Sequence, residues 1–287
     1  MADLAETARR LSDLSLRNQR SAYDGIEWPE QVDRLQWFTS PELISLYGTP
    51  TWEALTEDAR KELSFWEAVN FCSLNIHGER ALMQGLAARL YTGQAAEVTD
   101  YLHHFLDEEN KHSIWFGRFC MQYAGRIYPE RAVTFPRDYA EGEEDFLFFA
   151  KVAIFEEIVD RHNAAMATDD RLVPIARTIN ANHHADETRH LAFGRTAVEH
   201  LWRTHAPGWT PSTVDGVRNH LTGYLTATWR DYYRAEAYRD AGIARPVAVA
   251  RAAWDDDVTR RHRVTMASRC LTFFARAGIL PGWERAL

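Results

Sequence analysis

Apolar residues recur along most of the chain at the three-and-four spacing of amphipathic helices and almost nowhere in strict alternation. There is no Asn-Gly hairpin signal and no long alternating run of β-branched residues. The pattern predicts helices over 4–22, 52–92, 96–127, 142–167, 171–204, 212–241 and 247–278, the second broken near Thr56–Glu57. Breakers lie between them. Pro29, Pro41 and Pro50 mark an irregular N-terminal arm, and Thr92-Gly93-Gln94 separates two helices. Tyr128-Pro129 and Phe135-Pro136-Arg137 mark a longer connection, Pro207-Gly208 and Pro211 another; Pro246 and Pro281-Gly282 bracket the last helix. No linker is long or of low complexity, so residues 1–287 are expected to form one all-α domain. Short connections favour antiparallel neighbours in a bundle.

Composition narrows the function classes. The chain has 287 residues, 46% of them hydrophobic, with ten Trp, enough for a large core. Charged residues at 26% exclude wholesale disorder. A net charge of −8 argues against binding a nucleic-acid backbone. Cys72, Cys120 and Cys270 are too few and too scattered for a disulfide scaffold or a thiolate zinc site. No apolar run suits a signal peptide or a membrane span, so the expected setting is cytoplasmic, without membrane partners.

Polar groups on the apolar helix faces carry the chemistry. At 100° per residue, Phe65, Ala68, Cys72, Ile76, Leu82, Met83 and Leu86 form a stripe with Glu79 in its middle and Asn75 one turn earlier. A lone carboxylate there is costly unless a cation meets it. On the next helix Glu109 and His112 share a face with Leu102, Phe105, Phe116 and Cys120, while Glu108 points about 100° away. In Glu156-Glu157, Glu156 shares its face with Phe149, Val152 and Val159; Glu157 sits about 100° round, one turn before Arg161, so Glu156 is read as the buried one. His183, Glu187 and His190 lie with Ala176, Leu191, Val198 and Leu201.

The arrangement repeats: one helix offers a single Glu, the next Glu-x-x-His. Glu79 and Glu109 are 30 residues apart, Glu156 and Glu187 31. A single Glu-x-x-His is common on solvated helices, and His103, His104, His184 and His200 are read as surface or capping residues. Four matched carriers on four apolar faces point instead to the carboxylate-bridged dimetal site of a ferritin-like four-helix bundle. That core is expected over about 60–205, with additional N- and C-terminal helices. Four carboxylates offset two divalent irons, and imidazoles complete the ligand set while leaving positions for dioxygen. Structural zinc prefers a closed tetrahedral set.

His183 adds an imidazole one turn before Glu187. With it, the sequence resembles the p-aminobenzoate N-oxygenase family of diiron arylamine oxygenases. That family's pattern of Glu, Glu-x-x-His, Glu and His-x-x-x-Glu-x-x-His falls here on Glu79, Glu109, His112, Glu156, His183, Glu187 and His190. The stretch Leu46-Tyr47-Gly48-Thr49-Pro50-Thr51-Trp52 also looks like the family's lead-in to its first core helix. The resemblance implies two irons, dioxygen as co-substrate and a small amine oxidised at nitrogen through hydroxylamine to nitroso or nitro. No Gly-x-Gly-x-x-Gly is present, so electrons are expected from a ferredoxin or flavin reductase, or from peroxide. A homodimer is the expected assembly. Competing readings are a diiron C-hydroxylase, a ferroxidase or iron store, and a radical generator, for which Tyr101 and Tyr123 lie on the helix that carries Glu109, although the third His does not suit it. Phe105, Phe116, Phe149 and Phe155 are candidates for an apolar pocket lining, or for plain core. Arg260, Arg261, Arg263 and Arg269 read as an exposed salt-bridged face, with a substrate carboxylate as the alternative partner.

Overall fold

The computed structural model describes residues 3–93, 95–130 and 138–281; Gln94, Phe135-Pro136-Arg137 and Gly282 of the breaker set lie outside the described residues. These residues form α1 (Leu4–Arg17), a short α2 (Pro50–Glu53), α3 (Glu57–Arg89), α4 (Thr99–Phe119), α5 (Glu143–Ala167), α6 (Pro174–His205), α7 (Pro211–Tyr232), α8 (Ala235–Asp240), α9 (Pro246–Asp255) and α10 (Asp257–Arg276). There is no strand among the described residues, only an isolated bridge between Trp37 and Leu172.

The break expected near Thr56 is present. The Thr49 hydroxyl accepts from Trp52 N to start α2, and the Thr56 hydroxyl accepts from Ala59 N to start α3. Three predicted helices end or divide differently. α1 stops at Arg17, and the chain beyond it brings Arg20 onto Asp186. The 212–241 segment divides at Tyr233, where ψ swings to 61°, into α7 and α8. The 247–278 segment divides at Asp256, an extended residue whose carboxylate accepts from Val258 N at 2.8 Å and caps α10. α4 ends in a wide π-helical turn, Cys120–Ala124, closed by Gly125 at φ 66°.

α3 pairs with α4 and α5 with α6, making the four-helix core; α1 lies across α4 and α6, while α7 and α10 flank α5. Two apolar layers divide the core along its length. One holds Leu86, Leu102, Phe105, Phe146 and Phe193; the other holds Phe65, Phe71, Phe116, Phe119 and Val159. Each such side chain stabilises by about 1.5–3 kcal/mol on burial. α5 approaches α3 closely at two glycines seven residues apart. A Cβ on Gly78 would overlap the Phe155 ring, and one on Gly85 the Phe148 ring. Gly78 directly precedes Glu79 and Phe155 directly precedes Glu156, so this close approach lies beside two of the buried glutamates. No helix is long and apolar enough to cross a membrane among the described residues.

The late arginines do not share one exposed face. Arg260 is exposed and pairs with Asp257 at 3.0 Å. Arg263 is buried: it donates to Tyr233 Oη at 2.9 Å and Trp254 O at 2.9 Å, and its guanidinium lies 4.0 Å from the Trp254 ring centre. Burial is possible because the junction of α9 and α10 leaves Trp254 O free of a continuing helix. Arg263→Ala is therefore expected to cost about 2–3 kcal/mol through lost charged hydrogen bonds and stem packing, whereas Arg260→Ala should leave stability unchanged within error. Urea unfolding midpoints of the two variants check this.

Candidate metal centre

Between the apolar layers the bundle buries a polar centre. Glu79 on α3, Glu109 and His112 on α4, Glu156 on α5, and His183, Glu187 and His190 on α6 are each 2% exposed or less. Their ligand atoms form three overlapping groups: Glu109, His112, Glu187 and His190; Glu79, His112 and His183; and Glu156, His183 and Glu187, with atoms in each group within 4.8 Å of one another. His190 Nδ1 lies 2.8 Å from Glu109 Oε1 and 3.2 Å from Glu187 Oε1. His183 Nε2 lies 2.9 Å from Glu187 Oε1 and 3.5 Å from Glu79 Oε1. His112 Nδ1 is 3.5 Å from Glu109 Oε2 and 3.9 Å from Glu79 Oε2. All seven residues singled out in the sequence thus come together.

The donor chemistry fits bound cations. Both carboxylate oxygens of Glu79, Glu109 and Glu156, Oε2 of Glu187, His112 Nδ1 and His183 Nε2 are buried without an aligned hydrogen-bond partner. Such groups are costly in a low-dielectric interior unless a cation satisfies them. Burial, and then the Glu187 carboxylate, push Glu156 well above the ordinary carboxylate range. Burial works upward at Glu187 too, but His190 and His183 outweigh it and hold Glu187 well below that range.

Glu157 faces away from this centre. It is buried against Arg195 and accepts from Arg269 Nε at 2.9 Å, not from Arg161. His184 turns outward to Asp160, and His103 is on the surface beside Tyr91 Oη, 3.0 Å away. Phe105 stacks on His190, centroids 4.0 Å apart, and Phe116 packs edge-on to His183 at 5.0 Å. Phe149 instead packs on Phe148 and Phe193. Tyr101 is fully buried beside Phe105 and Phe193, and Tyr123 donates to Pro29 O at 2.8 Å near the surface.

Sequence reading missed the residues that hold the imidazoles. Glu108 does not turn to solvent: its Oε2 lies 2.8 Å from His190 Nε2 and its Oε1 accepts from Arg189 Nη2 at 2.5 Å. Burial notwithstanding, His190 and Arg189 keep Glu108 ionised, with a pKa of about 2. Asp186 Oδ2 lies 3.3 Å from His112 Nε2, and Asp186 also meets Lys111, Arg189 and Arg20 at 2.7–2.9 Å. Each acid directly precedes the Glu of one Glu-x-x-His motif and braces the histidine of the other. The doubled run acid-Glu-x-x-His was the available signal. Accepting the outer N–H fixes the tautomer that leaves Nδ1 of His112 and His190 facing inward. At His183 the outer Nδ1 instead meets Asn163 Nδ2 at 2.6 Å, and Nε2 faces inward toward Glu187 and Glu79.

The adjacent glutamates on α5 should separate cleanly. Glu156→Leu is expected to lower bound metal while raising the stability of the metal-free protein, since it removes a buried carboxylate repelled by Glu187. Glu157→Leu should retain metal but lose roughly 1–3 kcal/mol, less than a fully buried pair because Arg195 and Arg269 reach solvent. Metal analysis and denaturant unfolding check both.

A variant of R2-like ligand-binding oxidase with an aerobically reconstituted Mn/Fe cofactor superposes with a TM-score of 0.52 at 14% identity, covering 95% of this chain and 93% of the other. A second variant with an anaerobically reconstituted Mn/Fe cofactor gives 0.51 at 15% identity, with the same coverages of 95% and 93%. The long-soaked aerobic form gives 0.50 at 15% identity, covering 95% and 92%. At these identities the likeness establishes the ferritin-like helical fold. No curated protein matches the chain by sequence. The family model described as P-aminobenzoate N-oxygenase AurF matches residues 2–278, and the chain belongs to that family.

Proposed function

We propose that the protein is a diiron oxygenase that uses dioxygen to oxidise the nitrogen of a small arylamine. Family membership supports an oxygenase working through a dimetal centre. The observation that carries the reading is the convergence of four buried, largely unpartnered glutamates with three inward imidazole nitrogens. Four carboxylates offset the charge of two divalent ions, and the doubled Glu-x-x-His is the pattern of bundle dimetal sites.

Glu79, Glu109, Glu156 and Glu187 with His112, His183 and His190 would hold the metals. Two bound irons would supply the redox equivalents and the open coordination positions for dioxygen. The chain's own residues keep the site in order. Glu108, Asp186 and Asn163 orient the imidazoles. Phe105 and Phe116 cover His190 and His183 and exclude water. Each amine hydroxylation consumes one dioxygen, two electrons and two protons and releases one water. The electrons come from an external ferredoxin or flavin reductase; peroxide supplies the same equivalents directly. The R2-like ligand-binding oxidases carry Mn/Fe, and carboxylate and imidazole donors accept both metals, so reconstitution with iron alone and with manganese plus iron compares the two.

Protein reconstituted with ferrous iron is expected to retain about two irons per chain; one tightly held zinc with no second site would sink the reading. His183→Ala should stay folded, because six ligands remain, yet release iron to a chelator about ten times faster. Unchanged iron content and oxygen reactivity would remove His183 from the set. Reduced protein given oxygen and a panel of arylamines should form hydroxylamine, nitroso or nitro products, read by mass. Hydroxylation of a non-amine with no product from any amine would replace nitrogen oxidation with C-hydroxylation.

A further inference from the structure

We infer that the half-open groove between α7, α8 and α9 is a second ligand site, which seats a flavin nucleotide by its phosphate as the electron donor to the metal centre. The inference rests on the oxygenase reading proposed above and names the donor that this reading places outside the chain.

The groove has a volume of about 580 Å³, within the roughly 300–1,000 Å³ of small-molecule sites. None of the seven candidate metal ligands lines it. Three helices each bring one arginine to it: Arg230 from α7, Arg239 from α8 and Arg251 from α9. All three are exposed, and none forms an ion pair among the described residues. The Arg230 guanidinium lies over Trp254, 4.4 Å from the ring centre, which holds it in place without using its N–H donors. In a chain of net charge −8 the groove is a local excess of cation, three guanidiniums against the carboxylates of Glu236 and Asp255. Guanidinium forks match phosphate oxygens and pair with them through charge-assisted hydrogen bonds. The two acids disfavour a polyanion such as a nucleic-acid strand, and a carboxylate accepts from the hydroxyls of a sugar-alcohol chain. Tyr233, Val247 and Ala250 supply apolar surface for a ring.

A chain of rings links the groove to the metal centre. Tyr233 on the groove wall packs edge-on to Trp254 at 5.5 Å and directly follows Tyr232. Tyr232 packs both against the cluster that holds Tyr233 and against the layer that holds Phe71 and Phe116. Its ring lies 6.4 Å from that of Phe71; Phe71 lies 6.3 Å from Phe116, and Phe116 5.0 Å from His183. Electrons tunnel through side chains packed this closely, whereas a hydride passes only between groups in contact. The seven ligand residues are 2% exposed or less, which closes contact from the groove. The donor seated there must therefore give up its electrons singly, as flavins do and nicotinamides do not. The reduced flavin passes one electron to each of two ferric ions, releases two protons to solvent and becomes oxidised flavin. These are the equivalents that each amine hydroxylation consumes.

The test uses the full chain. Metal-free protein is titrated calorimetrically with flavin mononucleotide, with riboflavin, which lacks the phosphate, and with adenosine monophosphate, which lacks the flavin ring. Flavin mononucleotide is expected to bind at least about tenfold more tightly than either. Arg239→Ala and Arg251→Ala, both at exposed positions, should each weaken it about tenfold and leave riboflavin unchanged. Iron-loaded, oxidised protein is then mixed with reduced flavin in the absence of oxygen. The rate at which the ferric absorbance fades should saturate with reduced flavin mononucleotide and rise linearly with reduced riboflavin. Flavin mononucleotide bound no more tightly than riboflavin or adenosine monophosphate, arginine variants that bind it as the unchanged protein does, or a fading rate that never saturates each overturn the inference. Peroxide, which needs no electron donor, separates this inference from the oxygenase reading. Peroxide-driven amine oxidation in a protein that does not bind flavin mononucleotide removes the groove site and keeps the oxygenase. Phosphate-dependent flavin binding and saturable reduction, with no substrate oxidised under peroxide, keep the groove site and count against the oxygenase.

Discussion

Four glutamates are held at the centre of the bundle with most of their oxygens unpartnered, and the rest of the molecule is arranged around that uncompensated charge. Carboxylates at this depth repel one another, and solvent is too far away to screen them. A fold selected for stability alone would replace them with aliphatic side chains, as often happens neutrally or favourably for buried ionic groups. Their presence at that depth marks the candidate metal centre. The apolar layers on either side supply the folding free energy that tolerates the centre, and their aromatic members lie directly on the imidazoles.

A second ring of charge surrounds the first and is satisfied within the protein. Glu108, Asp186, Lys111 and Arg189 are buried and pair with one another. Their links run crosswise: the acid of α4 braces a histidine of α6, and the acid of α6 a histidine of α4. This ties the two Glu-x-x-His turns together before any metal binds, which lowers the reorganisation that binding would require. The N-terminal segment completes the ring. Ser15 Oγ accepts from Arg189 Nε at 3.0 Å, Arg20 reaches Asp186, and Trp115 Nε1 donates to Ala22 O at 3.0 Å. A helix outside the four-helix core therefore holds part of the metal centre's support.

Much of this was legible in the sequence. Helix order, the break at Thr56, and the inward placement of Glu79, Glu109, His112, Glu156, His183, Glu187 and His190 follow from the apolar period, because a helix that buries one face declares which polar residues it buries with it. The choice of Glu156 over Glu157 rested on the same angle and agrees with the observed directions of the two side chains. The period was less informative where helices bend. Splits at Tyr233 and Asp256 depend on how α8 and α9 dock against α3 and α10, and a continuous apolar pattern runs through both.

The sequence by itself determined the element pattern, the candidate ligand types and their spacing, since these are properties of single helices. Only the tertiary structure decided which partner each charged residue on a helix flank would meet. Glu108 and Asp186 sit about 100° from the inward Glu of their own helices, where a lone helix predicts solvent. They are buried because a second helix packs on that side as well. A residue's angle on its own helix is local, whereas the number of neighbours surrounding that helix is set by the assembled bundle.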